Sequence, residues 1–275
     1  MKIPFIILFI GKASQFVSAN LAAKYVKFLF QKPIKYPLPK REFEMDKNSK
    51  QYELEIAKIN KKVNVYEYGT GEKKVLLVHG WSGRGTQLFK IAEGFVEKGY
   101  QVISFDAPAH GKSPSKTSLM PEFIAAVHQL DKKYGGFEMA IGHSLGAMSV
   151  LNALKEGLVL KKAALISSGN SVEDIAHHFT KQLELKPKVA VKMIALFEKQ
   201  FNMKMEPYSA YVAAKNIEIP LLIIHDKDDF EVPFSCSEAI HKVAKNSTLV
   251  STNGLGHRKI VGAEIVVNHC VSFID

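Results

Sequence analysis

Hydrophobic and polar positions divide the chain into three regimes. In the first, Lys2 precedes an apolar run, Ile3 to Ile10, interrupted only by Pro4. This run is far short of the roughly 20 apolar residues needed to cross a bilayer as a helix. It resembles the core of a secretion signal, yet no A-x-A-like cleavage site follows, and Ser18-Ala19-Asn20 is a poor substitute. Residues 13–31 then repeat at helical spacing. Asn20, Lys24, Lys27 and Gln31 share one face, and Val17, Leu21, Tyr25 and Phe28 form an apolar stripe widened by Ala22, Val26 and Leu29. Such a helix either packs its apolar side on the body of the protein or lies along an anionic membrane surface, as its basic face allows. Pro33, Pro37 and Pro39 end any helix and stiffen the connector.

From Tyr52 the period drops to two. Tyr52–Ile59 and Val63–Tyr68 alternate like an antiparallel pair joined near Asn60-Lys61, with a turn at Gly69-Thr70-Gly71. In the third regime, apolar runs alternate with helical segments. The runs are Val75–Val78, Gln101–Phe105, Phe137–Ile141, Ala163–Ser167, Ile219–Ile224 and Thr248–Ser251. The helices are Gln87–Lys98, Pro121–Lys133, Leu145–Glu156 and Lys259–Ile274. Continuous apolar strands such as Val75–Val78 imply burial on both faces, and the alternation implies a mostly parallel sheet flanked by helices. Asn170 to Lys215 breaks the rhythm with helical patterns at Val172–Leu185, Val189–Asn202 and Tyr208–Ala214. A structureless loop of that length is unusual, so the segment at about 170–215 is expected to be a helical cap inserted over the carboxyl ends of the strands, the alternative being extra helices packed on the side of the sheet.

Composition refines this picture. The 275 residues suit one domain with an insertion, and two cysteines, Cys236 and Cys270, give neither a disulfide framework nor metal-ligand spacing. The net charge of +10 is uneven: residues 1–50 hold ten Lys/Arg against Glu42, Glu44 and Asp46. A basic amphipathic arm, residues 1–48, is therefore expected to precede a body of residues 49–275. Peripheral contact with the inner face of a membrane would fall on residues 1–45, and a cytoplasmic location is favoured over secretion. No nucleic-acid-binding stripe or motif is present, and no nucleic-acid partner, cofactor or metal is expected.

The candidate chemistry lies where parallel sheets bind ligands, at the carboxyl ends of strands. Gly142-His143-Ser144-Leu145-Gly146 sits between a strand and a helix, where a tight turn needs small flanking residues and projects the serine hydroxyl. His79-Gly80-Trp81-Ser82-Gly83 follows one strand, the acids Asp226, Asp228 and Asp229 follow another, and His257 follows the last. His79, His143 and His225 are expected to hydrogen-bond backbone, His110 to order its turn, and His177 and His178 to lie on a solvated helix face.

These segments, in this order, resemble the α/β-hydrolase superfamily over roughly residues 50–275. His79-Gly80-Trp81 is similar to the family's oxyanion segment. Asp106 to Ser113 is similar to its D-x-x-G-x-G-x-S turn, with Ala109 where a glycine is usual. His225 to Pro233 is similar to H-G-x-x-D-x-x-V-P, with Asp226 in place of glycine. The basic, proline-ended arm resembles that of uncharacterised bacterial members. The resemblance implies an α/β fold with an inserted cap and a serine esterase-like hydrolase acting on a small-molecule acyl substrate. It implies Ser144 as nucleophile, His257 as base, Asp229 (with Asp228 and Asp226 as alternatives) as the orienting acid, and the Trp81 and Leu145 N–H groups as the oxyanion hole. The same residues would serve an acyltransferase, and a non-catalytic membrane-associated or binding protein is the remaining alternative. The apolar side chains of the insertion suit either an acyl pocket or the insertion's own core.

Overall fold

A computed structural model describes residues 3–275. Eight strands form one sheet: β1 (Lys50–Ile56), β2 (Lys61–Tyr68), β3 (Lys74–Val78), β4 (Gln101–Asp106), β5 (Met139–His143), β6 (Lys162–Ile166), β7 (Leu221–Asp226) and β8 (Ser247–Thr252). Their spatial order is β1-β2-β4-β3-β5-β6-β7-β8. β2 pairs antiparallel with both β1 and β4, and every pairing from β4 onward to β8 is parallel.

The helices are α1 (Phe5–Val17), α2 (Ala19–Phe30), α3 (Phe43–Asn48), α4 (Phe89–Glu97), α5 (Met120–Tyr134), α6 (Leu145–Lys155), α7 (Val172–Gln182), α8 (Pro187–Phe201), α9 (Ala210–Ala214), α10 (Ser235–Val243), α11 (Gly256–Lys259) and α12 (Glu264–Phe273). Strand residues alternate between the two faces of the sheet. On one face Leu76, Val78, Ile103 and Phe105 pack against α5, α6, α9 and α10. On the other, Val75, Leu77, Val102 and Ile141 pack against α3, α4 and α12. Both faces are covered, which is why β3 carries no polar residue beyond Lys74.

Local chemistry sets the element ends. α5 starts with Pro at its N-terminal turn and stops at Gly135, whose φ of +72° a side chain would strain. α7 begins at Ser171, whose hydroxyl accepts from Asp174 N–H at 3.1 Å.

The arm differs from the single helix expected over residues 13–31. Ser18 is extended and its hydroxyl accepts from Leu21 N–H, so it ends α1 and caps α2. The helical pattern also extends back through the apolar run to Phe5. The arm's end is different too. Glu42 is buried and accepts from the Thr86 hydroxyl at 2.7 Å, and Met45 of α3 lies in the core under α4. Residues from Glu42 onward thus pack with the body.

α7, α8 and α9 form the insertion between β6 and β7. Ala176, Leu183, Val189, Met193 and Phe197 of the insertion share a buried cluster with Ala22, Ala23 and Val26 of α2. Met193 and Phe197 of α8 therefore build a core between insertion and arm. Leu119, at the end of the loop that leaves β4, packs on the same cluster.

Candidate active site

β5 ends at His143 and α6 begins at Leu145, so Ser144 alone makes the reversal. Its backbone sits at φ 54°, ψ −117°, a conformation that costs a non-glycine residue on the order of 1–3 kcal/mol. The surroundings enforce it. A Cβ on Gly142 would stand 2.6 Å from the Ala147 backbone nitrogen, and one on Gly146 would stand 2.2 Å from the Val78 carbonyl oxygen. The Ser144 N–H donates to the Ile166 carbonyl at 2.9 Å, tying the turn to β6. From Met139 to Ala153 every residue is buried except Ser144 and Leu145. The Leu145 N–H, first in α6, has no acceptor one turn back and so is open to a ligand.

The three acids at the end of β7 and just beyond it have separate tasks. Asp229 Oδ2 lies 2.7 Å from His257 Nδ1 and 3.3 Å from His225 Nε2, while its Oδ1 accepts from Glu231 and Val232 N–H at 2.9 and 2.8 Å. Burial would raise this carboxyl, but the bonds from His225, His257 and Val232 outweigh it and hold Asp229 well below the usual carboxylate range. Asp226 instead anchors the loop that carries His257. Its carboxylate accepts from the Thr252 hydroxyl at 2.6 Å and from the N–H groups of Asp228, Leu255 and Gly256 at 3.0–3.1 Å. Asp228 Oδ2 accepts from Gly254 N–H at 2.8 Å. Arg258 adds a two-pronged bond to Glu231, joining the ends of the two loops. The residue standing where a glycine is usual is thus a four-bond anchor.

His143 joins this group to the serine turn. Its Nε2–H donates to the His257 carbonyl at 2.9 Å, and the two imidazole centres lie 4.7 Å apart. Burial, then the neighbouring His257 charge, pushes His143 down to about 3. His225 accepts from the Ser237 hydroxyl at 2.7 Å through Nδ1 and donates to the Val232 carbonyl at 3.0 Å. It bonds backbone as expected, but it also faces Asp229. That contact was missed, although a histidine four residues before the acid at a strand end is a readable signal.

Gly80 brings the 79–83 loop against the serine turn. A Cβ there would lie 3.0 Å from His143 Nδ1 and 3.1 Å from Ser144 Cβ, so Trp81 follows directly beside Ser144. His79 braces the loop: Nδ1 donates to the Gly80 carbonyl at 2.6 Å and Nε2 accepts from Ala107 N–H at 3.0 Å. Beneath it, the Asp106 carboxylate accepts from Gly85 and Lys112 N–H and from the Tyr66 hydroxyl. Ala109 takes φ 63° where glycine is usual. His110 donates to the Pro108 carbonyl at 2.9 Å and so orders that turn.

The arm's connector was not foreseen here. Ile34 N–H donates to Ser82 Oγ at 2.9 Å, Arg84 donates to the Tyr36 carbonyl at 2.7 Å, and Lys35 reaches the Gly111 and Ser113 carbonyls. The connector therefore lies along the outside of the Trp81 loop. His177 and His178 stay on the α7 surface, paired with Glu173 and Gln182 one turn away. Among the described residues, no cluster of His, Cys, Asp and Glu is arranged to hold a metal ion.

Residues 73–205 match the model of the alpha/beta hydrolase fold family, and the strand order, serine turn and strand-end loops agree with it. The chain has the α/β-hydrolase fold. It is 25% identical to (E)-2-((N-methylformamido)methylene)succinate hydrolase of Acinetobacter baylyi, with 76% of this chain and 87% of that protein covered. Its fold is similar to that of a bromoperoxidase of Bacillus anthracis (18% identity, TM-score 0.63, 82% of this chain and 99% of that one). It is also similar to that of an esterase of Exiguobacterium antarcticum (17% identity, TM-score 0.62, 78% and 96%). This fold and these relatives support a hydrolytic function.

Proposed function

We propose that this α/β-hydrolase cleaves a carboxylic ester or related acyl bond of a small molecule through an acyl-enzyme on Ser144. The observation that carries the reading is the Asp229–His257 pair, 2.7 Å apart, on a histidine whose carbonyl is held by the residue preceding Ser144. A serine hydroxyl is a weak nucleophile at neutral pH and needs a base. Because His257 Nδ1–H donates to Asp229, its Nε2 carries the lone pair that takes the Ser144 proton. Ser144 Oγ then bonds to the acyl carbon, and the carbonyl oxygen becomes an oxyanion that accepts from the Trp81 and Leu145 N–H groups. Collapse breaks the bond to the leaving alcohol, which takes the proton from His257. Water, deprotonated by His257, attacks the acyl-enzyme and releases the carboxylic acid and free Ser144. The insertion, whose α7 begins just beyond the carboxyl end of β6, acts in this reading as a cap that selects the acyl group.

The test is covalent labelling joined to turnover of p-nitrophenyl esters of graded chain length. A fluorophosphonate probe labels the parent protein, and Ser144→Ala abolishes labelling while lowering ester turnover by at least about 10⁴-fold. Equal labelling of parent and Ser144→Ala would remove Ser144 from the role.

A further inference from the structure

The net positive charge and most of the large exposed apolar side chains fall on the same layer of this protein. Residues 1–41 contain eight Lys/Arg and no Asp or Glu. Residues 171–205, which include α7 and α8, contain six Lys/Arg and four acids. The rest of the chain balances, with 23 of each sign, so the whole net charge of +10 resides in the arm and the insertion. These two segments pack together through α2 and α8.

α1 is held against that layer by one side only. Ile3, Ile7 and Leu8 pack on the shared cluster, Gly11 is buried against Leu185 and Tyr25, and Gln15 accepts from Lys186 N–H at 2.6 Å. The opposite side presents Phe5, Ile6, Phe9, Ile10, Phe16 and Val17, which recur on one helix face. All six are exposed, Phe16 by 94%, Phe5 by 78% and Val17 by 72%. A contiguous apolar stripe of this kind marks an interaction surface. The basic face expected to meet a membrane lay on residues 13–31. In the fold, part of that helix is spent on the insertion, and although Leu21 and Phe28 stay exposed on α2, the larger free apolar face belongs to α1.

We propose that the α1 face docks on an anionic phospholipid surface, with the arm and insertion lysines facing the headgroups. α1 has 13 residues, about 20 Å at 1.5 Å per residue, which is shorter than the hydrocarbon core, so it lies in the interface plane instead of crossing it. Among the described residues, no helix is long and apolar enough to cross a membrane. Two copies of this chain pressed together through α1 would bring like-charged layers into contact. An anionic bilayer offers apolar depth and opposite charge at once. The docking uses no residue of the serine turn and stands or falls independently of the hydrolytic reading.

The experiment is co-sedimentation of the full chain with vesicles of phosphatidylcholine alone and of phosphatidylcholine with about 30 mol% phosphatidylglycerol, a composition that supplies the negative surface potential to which clustered lysines respond. The parent protein binds the anionic vesicles at least tenfold better than the neutral ones, and raised salt weakens the binding. Phe9→Asp/Phe16→Asp, placed on solvent-exposed positions, binds the anionic vesicles at least tenfold less while retaining its circular dichroism spectrum and its turnover of a soluble ester. Equal binding to both vesicle types, or unchanged binding by the double variant, overturns the proposal. So does a parent dimer in light scattering that the double variant converts to monomer, because the face would then be a contact between copies.

Discussion

Asp226 shows how one residue can decide the geometry of a neighbour it does not touch. His257 sits in the first turn of α11, placed by the loop Asn253 to Leu255 before it, which has no regular structure of its own. The Asp226 carboxylate gathers that loop through Leu255 and Gly256 N–H and fixes it to β8 through the Thr252 hydroxyl. Bonds to an ionised acceptor contribute roughly 1.5–3 kcal/mol each where they are buried, and a lost acceptor leaves its donors unpaired. Asp226→Ala is therefore expected to lower stability by about 2–4 kcal/mol in urea denaturation. It should also lower kcat for an ester substrate more than KM, because His257 is displaced while the binding surface is not. Asp228→Ala removes one bond, to Gly254 N–H, and is expected to cost about 1 kcal/mol. Equal effects of the two substitutions would mean that Asp226 has no special hold on the loop.

At the scale of elements, strands and their ends were readable and the arm was not. The run Val75–Val78 could only be a strand buried on both faces, and Gly142 and Gly146 marked the one turn where a Cβ cannot stand. Ser144 and His257 were legible as candidates because each follows a strand, whereas Asp229 stood out from Asp226 and Asp228 only through its resemblance to the family motif. The break at Ser18 was hidden, since apolar residues continue on both sides of it and a capping serine looks like any helix serine. α3 and α10 were missed because neither shows a long apolar repeat. The connector's bonds to Ser82 and Arg84 join residues 48 apart, and no local pattern encodes such a pairing. The same limit applied to Met193 and Phe197, whose apolarity left pocket and core undecided. Their burial against α2 makes a prediction. Phe197→Ala is expected to lose about 3–5 kcal/mol at the junction of insertion and arm. Because the sheet core is separate from that cluster, limited proteolysis should release the arm first, near residues 31–41, while a fragment containing the sheet persists. Simultaneous loss of both would mean that arm and body form one cooperative unit.

For the molecule as a whole, the buried histidines couple the site to pH. His79, His110 and His143 are all buried and held neutral by geometry. His79 already uses both ring nitrogens, one as donor and one as acceptor. The other two spend their N–H on a carbonyl, and among the described residues His110 Nε2 and His143 Nδ1 face no acceptor for the N–H that a second proton would create. Burial lowers His110 from 6.5 to about 4 and His143 from 6.5 to about 3, and it drives His79 well below 6.5. In the unfolded chain all three take up a proton as pH falls through 6.5, whereas the folded protein excludes it. Each imidazole can therefore remove up to about 1.4 kcal/mol of stability per pH unit below that point, until its own folded value is reached. Asp229 adds to the loss only below its unfolded value of 3.8. Burial raises Asp106 and Glu122, which take up protons more readily in the fold and oppose the loss at the acid end. The urea midpoint is thus expected to be flat from pH 8 to 7 and to fall steadily between about pH 6 and 4, on a slope of up to three protons. A midpoint unchanged across that window would show that these imidazoles charge freely inside the fold. The loops that carry Trp81 and Ser144 would then have to be braced by something other than neutral histidines.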